Sequence, residues 1–397
     1  MSTELVARHM ADIPFSTIRR VFERAAQLAA SGRKIINFGI GRPDFDTPEH
    51  IKAAAKKALN EGRVHYTPNT GLPQLRQAIA DSIRTYKQVS YNPEKEIMVT
   101  AGGQEAIYLS LRAFLNPEDE ILVPDPGYPQ FMSAIRLAGG RGIPIPLSAE
   151  DNFMPDLKTA EAFISPKTRG IILNSPHNPT GSVLDPEQIA AIGRFAEKHG
   201  LVVFSDEAYD RILFPGATFS SPAALPGMKD QTVIWGSLSK TYAMTGWRIG
   251  YLAAPREMIH AAVKMQQNVL LSTCSFAQAG AVAALNGPQA CVDDMVAEFN
   301  RRRQIILKGI SQADGLSYPA MPRGAFYVFV HHHIKNMDSV NLADYILENA
   351  GVAVIPGTSF GKRGEGFLRI SYAASQADCR EGMARIAEIS HKLTIGK

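Results

Sequence analysis

The chain has 397 residues, 45% of them hydrophobic and 20% charged, with a formal net charge of +4. That balance excludes a disordered or low-complexity protein and is long enough for two domains. The charge is modest and no long Lys/Arg run occurs, so neither a nucleic-acid partner nor a membrane surface is expected. The start, MSTELVARHM, lacks a continuous apolar segment, and no window approaches the ~20 apolar residues of a membrane span. Three scattered cysteines, Cys274, Cys291 and Cys379, show no CxxC spacing and fit reduced thiols in a cytoplasmic protein.

Residues 14–31 read as a helix and residues 34–38 as a short strand, followed by the punctuated loop GIGRPDFDTP. Thr47 and Pro48 offer an N-cap and a first helical residue for a helix that runs through IKAAAKKALN and stops at Gly62. Residues 96–100 read as a strand, and AGGQEAIYLSLRAFL as a turn entering a helix. A glycine pair there brings free backbone N–H groups and a helix N-terminus together, with Gly103 and Gln104 supplying amides for an anion. Strand 121–124 leads into PDPGYP, which exposes Tyr128 at the next helix start. Apolar strands follow at 142–146, 169–174, 201–206 and 232–236, with helical stretches near 128–138, 156–164 and 185–199. Strands separated by helix-length segments predict a mainly parallel sheet covered on both faces, with a ligand at the strands' carboxyl ends.

The chemistry-bearing residues stand at such ends. In TVIWGSLSKTYAMTGWRIGY, an apolar strand stops at Ser237 and Ser239, Lys240 follows, and Arg248 comes eight residues later. Two hydroxyls and a guanidinium fork suit a phosphate dianion. A lysine tethered beside them points to a cofactor with a phosphate at one end and an aldehyde at the other, which pyridoxal phosphate satisfies. In VVFSDEAY, three apolar residues predict burial before Asp206 appears, and a buried carboxylate needs a cationic partner. A protonated pyridine nitrogen would serve. NSPHNPTG is a rigid turn whose Asn178 can donate a side-chain amide. After Tyr251 the sequence turns helical (256–268, 276–286, about 289–312), then carries the strand GAFYVFV, a helix at 341–350, a strand at 352–355, FLRISYA and a final helix at 375–393. Adjacent residues of the run His331–His332–His333 point to opposite faces of a strand, so no metal site is expected. Arg369, central in an apolar strand, can grip a carboxylate with two parallel hydrogen bonds.

Taken in order, GRPDFDTP, YTPNTG, AGGQEA, PGYP, NPTG, SDEAY, SLSK, GWRIGY and LRISY resemble the motifs of the class I/II aminotransferases, pyridoxal-phosphate enzymes of fold type I, aspartate aminotransferase-like. The resemblance runs from about residue 14 to the C-terminus. It implies an α/β fold: a mainly parallel seven-stranded sheet with helices on both faces, plus a smaller α+β domain. The expected boundaries are 48–285 for the large domain, and 1–47 with 286–397 for the small, discontinuous one. The family's roles map as follows. Lys240 forms the Schiff base and moves the α-proton, Asp206 pairs with the pyridine nitrogen, and Asn178 and Tyr209 bond the phenolate oxygen. Tyr128 stacks on the ring; Ser237, Ser239, Arg248, Gly103 and Gln104 hold the phosphate. Tyr66 reaches the phosphate of the other subunit, which makes the protein a homodimer. Gly41 lies against the substrate, and Arg369 with Asn178 holds its α-carboxylate. Arg42 stands where many relatives carry Glu, so that side chain's role does not transfer.

The implied activity is ping-pong transfer of an amino group from an L-amino acid to a 2-oxo acid, with aspartate or glutamate and 2-oxoglutarate as the default substrates. A lyase or cyclopropane-forming synthase on the same scaffold is the nearest alternative. A decarboxylase conflicts with a firm grip on the carboxylate. The effector module of a transcription regulator would need a DNA-binding unit ahead of the resemblance, which begins within ~15 residues of the start. A second cation for a dicarboxylate side chain would come from candidates such as Arg19, Arg20 or Arg42.

Overall fold

A computed structural model describes residues 5–394, so the first four residues of the MSTELVARHM start and the last three of the chain lie outside it. The larger sheet runs in the order Ile97–Thr100, Gly250–Ala253, Thr232–Ser237, Val202–Asp206, Thr168–Asn174, Glu120–Asp125, Arg141–Ser148, Met154–Pro155. Gly250–Ala253 is antiparallel to both its neighbours, and the strands from Thr232–Ser237 to Arg141–Ser148 are mutually parallel. The expected seven strands are therefore present, with the two-residue strand Met154–Pro155 added antiparallel at one edge. The strand Gly250–Ala253 is one the sequence reading did not separate from the GWRIGY motif. Strands Ile97–Thr100 and Glu120–Asp125 are buried at every residue, as a sheet covered on both faces requires.

The helices between strands follow local chemistry where it is strong. Pro186–His199 begins with a reciprocal capping box between Asp185 and Gln188, carries Pro186 in its first turn, and ends at Gly200 with φ 61°. The start at Thr47 differs from expectation. The helix spans Glu49–Asn60 with Pro48 at the N-cap position and no side-chain cap. Thr47 Oγ1 instead donates to the carbonyl of Ala243 at 2.7 Å and accepts from Trp247 Nε1 at 3.0 Å. These long-range partners hold the hydroxyl away from the helix end, and so tie the helix to the lysine turn.

The smaller sheet has the order Leu316–Ser317, Tyr327–His332, Phe367–Ser371, Ile355–Pro356, all antiparallel. Ile36–Asn37 pairs in parallel with Val352–Ala353, which carries the N-terminal segment on to the C-terminal third. Phe38, Phe299, Phe326, Tyr372 and Cys379 are buried in the core between them. Alternation along Tyr327–His332 and beyond puts the rings of His331 and His333 side by side, centroids 4.3 Å apart, while His332 is buried. Among the described residues no helix is long and apolar enough to cross a membrane.

Candidate active site

The carboxyl ends of the parallel strands open into a cavity of about 280 Å³, roofed by the smaller sheet. Gly41, Gly103, Gln104, Tyr128, Asn178, Asp206, Tyr209, Ser237, Ser239, Lys240, Arg248 and Arg369 all line it. Tyr66 does not. It is 87% exposed and borders a separate groove with Leu72 and Ser275.

One wall is a cup of donors. Ser237 ends its strand and caps the one-turn helix Leu238–Thr241, its hydroxyl accepting from Ser239 N at 3.2 Å. Ser239 Oγ is buried without a hydrogen-bond partner among the described residues. Arg248 follows a tight turn at φ 57°, a conformation costly for a residue with a Cβ. That turn aims its guanidinium at the carbonyls of Ala101 (3.2 Å) and Thr245 (3.1 Å). Opposite, helix Gly103–Phe114 starts after Gly102 at φ 82°. A Cβ on Gly102 would sit 2.4 Å from the Arg248 guanidinium, so glycine alone lets the turn and the arginine meet. Hydroxyls, a guanidinium and a helix N-terminus around one point can hold a dianion.

The floor is the end of Val202–Asp206. Asp206 is buried and accepts one hydrogen bond, from Ala208 N at 3.1 Å. Burial pushes its carboxyl up to about 7, with Glu207 adding to the rise and the Ala208 amide, Lys240 and Lys87 offsetting only part of it. Asn174 Nδ2 bonds the carbonyl of Asp206 at 3.2 Å, and Asn174 Oδ1 takes the backbone N–H of Asn178 at 2.9 Å. Asn174 thus binds the aspartate strand to the NPTG turn. Lys240 Nζ donates to the carbonyl of Gly41 at 2.6 Å. Its ammonium is lowered to about 8, first by burial and then by Arg248 and Arg369. An amine so tuned is available as a nucleophile and base near neutral pH.

The roof carries Arg369, buried to 3% exposure. Its Nη1 donates to Asn178 Oδ1 at 3.0 Å and its Nη2 to the carbonyl of Gly39 at 2.6 Å. Tyr327 and Phe360 pack on the guanidinium, 4.5 and 4.8 Å to their centroids. Asn178 thus accepts through Oδ1, and its side chain lines the cavity. Tyr327 also hydrogen-bonds the hydroxyl of Tyr209 at 2.8 Å and lies where a Cβ on Gly41 would be, 2.6 Å from its oxygen.

Sequence reasoning did not find Tyr327, Asn174, Trp235, Ile18 or Phe22, which also line the cavity. Tyr327 sits inside GAFYVFV, where every residue reads as core. Ile18 and Phe22 are one turn apart on the Thr17–Ala30 helix, a spacing that signals an apolar face but not what it covers. Asn174 opens NSPHNPTG and was the one discoverable residue, a polar group closing an apolar strand.

The chain matches the family model for aminotransferase class I and II over residues 33–386. It is 39% identical over 377 residues to an aspartate aminotransferase of Pyrococcus abyssi, covering 94% of this chain and 95% of the relative. It is 37% identical over 377 residues to an aromatic-amino-acid aminotransferase of Thermococcus litoralis, again covering 94% and 95%. The crystal structure of the Rhizobium meliloti aspartate aminotransferase superposes with a TM-score of 0.94 at 34% identity, covering 98% of this chain and 100% of that one. Pyridoxal phosphate is the cofactor of this family, and amino-group transfer is its reaction. Cavity, fold and similarity agree: the chain belongs to the class I and II aminotransferases and is a transaminase.

Proposed function

We propose that this chain binds pyridoxal phosphate in the cavity and moves the amino group of an L-amino acid to a 2-oxo acid. The observation that carries the reading is a pair of unmet demands at the two ends of the cavity. Among the described residues Ser239 Oγ is a buried donor without a partner, and Asp206 is a buried carboxylate held by a single backbone amide. A phosphate answers the first and a protonated ring nitrogen the second.

When bound, the cofactor supplies the carbonyl carbon and the electron sink for the transfer. Ser237, Ser239, Arg248 and the amides of Gly103 and Gln104 hold its phosphate. Tyr128 covers the ring, while the Asn178 amide and the Tyr209 hydroxyl donate to the phenolic oxygen. Lys240 Nζ is both the attachment point and the base that takes the proton from the amino acid's α-carbon. Arg369 and Asn178 orient the α-carboxylate, with Gly41 giving room beside it. Tyr66, too exposed to serve its own protomer, reaches the phosphate of a second copy in a homodimer. The two parts expected at 48–285, and at 1–47 with 286–397, act as floor and closing roof.

Aspartate or glutamate with 2-oxoglutarate is the first substrate pair, on the strength of the aspartate aminotransferases among the relatives. Apolar or aromatic donors are the second reading. Arg19 and Arg20 pair with Glu23 and Asp344 on the surface and Arg42 is exposed, whereas Ile18 and Phe22 line the cavity. Absorption spectra of the protein with pyridoxal phosphate, recorded with single amino acids, test both. The yellow band is expected to bleach with one donor class and return with an oxo acid, and Lys240→Ala is expected to abolish turnover. Full transamination by Lys240→Ala would refute the assignment. A lyase would show instead a product that keeps no stoichiometric amine transfer.

A further inference from the structure

Directly behind Asp206 lies a buried cluster that the reaction above does not use. Lys87 is the last residue of helix Pro73–Lys87, and its side chain is 1% exposed. Its ammonium lies 2.6 Å from Glu207 Oε2 and 2.6 Å from Asp210 Oδ2. Glu207 Oε1 accepts from Ser205 Oγ at 2.8 Å and from Ser221 Oγ at 2.7 Å. The ring of Phe219 packs 5.4 Å from the ammonium.

Alternation along the strand explains why the two neighbouring carboxylates behave differently. Asp206 faces the cavity, while Ser205 and Glu207 face the other way, into this cluster. Burial alone would drive Lys87 toward its neutral form, yet Asp210 and Glu207 hold it well above its ordinary range. The two carboxylates therefore favour its charged form. Removing one partner from a buried pair leaves an uncompensated charge, and here that charge would stand next to Asp206. Glu207, Asp210, Tyr251 and the buried Tyr91 face Lys87; Glu207, Lys240 and Lys87 act on Asp206, which in turn raises the hydroxyls of Tyr128, Tyr209 and Tyr327.

The cluster also reaches the lysine turn. Tyr251, which faces Lys87, packs on Gly236, where a Cβ would fall 2.0 Å from its ring. Gly236 immediately precedes Ser237 of the donor cup.

We propose that Lys87 is a positioning residue for the transamination: shared between Glu207 and Asp210, it locks Glu207 on the far face of the strand and offsets one of the two carboxylate charges behind Asp206, which favours the ionised Asp206 that holds the cofactor's ring nitrogen. The proposal rests on the reading of Asp206 as the partner of that nitrogen. Lys87 touches neither substrate nor cofactor and acts only through Glu207 and the strand end.

The test is the pH dependence of pyridoxal phosphate affinity, read by absorption titration of the full chain from pH about 6 to about 9. Lys87→Met is expected to bind about tenfold more weakly near neutrality and to approach the parent at the alkaline end, because a more proton-avid Asp206 must lose its proton first. The double variant Lys87→Met/Glu207→Gln leaves Asp210 as the one charge, which restores the parental net charge of the cluster, and keeps an oxygen for Ser205 and Ser221, so it is expected to recover most of the parental profile. An unshifted profile for Lys87→Met, or a shift that the double variant does not reverse, would overturn the proposal. Should Lys87→Met not fold, Glu207→Gln with Lys87 intact decides: tighter binding at the acid end of the range supports the charge balance, and a parental profile refutes it. Absence of cofactor binding by the parent would instead refute the cofactor reading itself.

Discussion

The floor and the roof of the cavity are built in different ways. The floor is one sheet: each strand end delivers its own residues, Ser237, Ser239 and Lys240 from one, Asp206 from the next, Asn174 and Asn178 from a third. Neighbouring ends are registered by backbone ladders, so their spacing is set before any side chain packs. The roof is assembled from segments tens to hundreds of residues apart. Arg369 meets Gly39 because Ile36–Asn37 pairs with Val352–Ala353 and Ser371 N donates to the carbonyl of Phe38 at 2.8 Å, and it meets Tyr327 because their strands pair in the smaller sheet. The floor holds groups suited to a cofactor and the roof an arginine suited to a substrate carboxylate, with Asn178 between them. Cofactor affinity and substrate affinity should therefore respond to different substitutions.

The sharpest probe of the floor is Asp206→Asn in the protein freed of cofactor. The folded-state carboxyl is raised from 3.8 to about 7, so its neutral form favours folding fully below about pH 4 and that contribution is lost as pH rises through about 7. Asparagine is never charged. The variant is expected to match the parent at pH about 4 and to exceed it at pH about 8, by at most on the order of 4 kcal/mol, in urea unfolding. It should also bind pyridoxal phosphate far more weakly. Equal stability of parent and variant across that range would mean Asp206 carries no buried charge to relieve.

For the roof, Arg369→Lys keeps the charge but loses the fork that spans Asn178 and Gly39. Steady-state kinetics should show KM for amino and oxo acids raised by roughly 10- to 150-fold, the worth of one charged hydrogen bond at about 1.5–3 kcal/mol. Cofactor affinity should stay at the parental value. A parallel fall in cofactor affinity would dissolve the distinction between floor and roof.

The seam between them is the 2.8 Å bond from Tyr209 to Tyr327. Tyr327→Phe removes that bond while leaving the ring on Arg369. A loss near 1 kcal/mol, roughly fivefold in kcat/KM, is expected. No change would show that the two hydroxyls act independently.

Sequence alone determined the floor, because strand ends, glycine turns and the lysine segment are local statements. Apolar runs that stop at a polar residue say where a strand ends, and strand ends in such a sheet say where a ligand lies. It also placed Arg369, an arginine that an apolar strand would not otherwise carry. Thr47 shows the limit of local reasoning: a good capping residue was claimed by Ala243 and Trp247 through a contact across nearly two hundred positions. Tertiary structure alone decided that Tyr327, among seven residues that all read as core, turns its hydroxyl to Tyr209. It alone brought Ile18 and Phe22 to the cavity, and Lys87 to Glu207 and Asp210. The reason is the same in each case. Periodicity encodes that a side chain is buried, but the identity of what it is buried against depends on strand pairing and helix docking between distant segments.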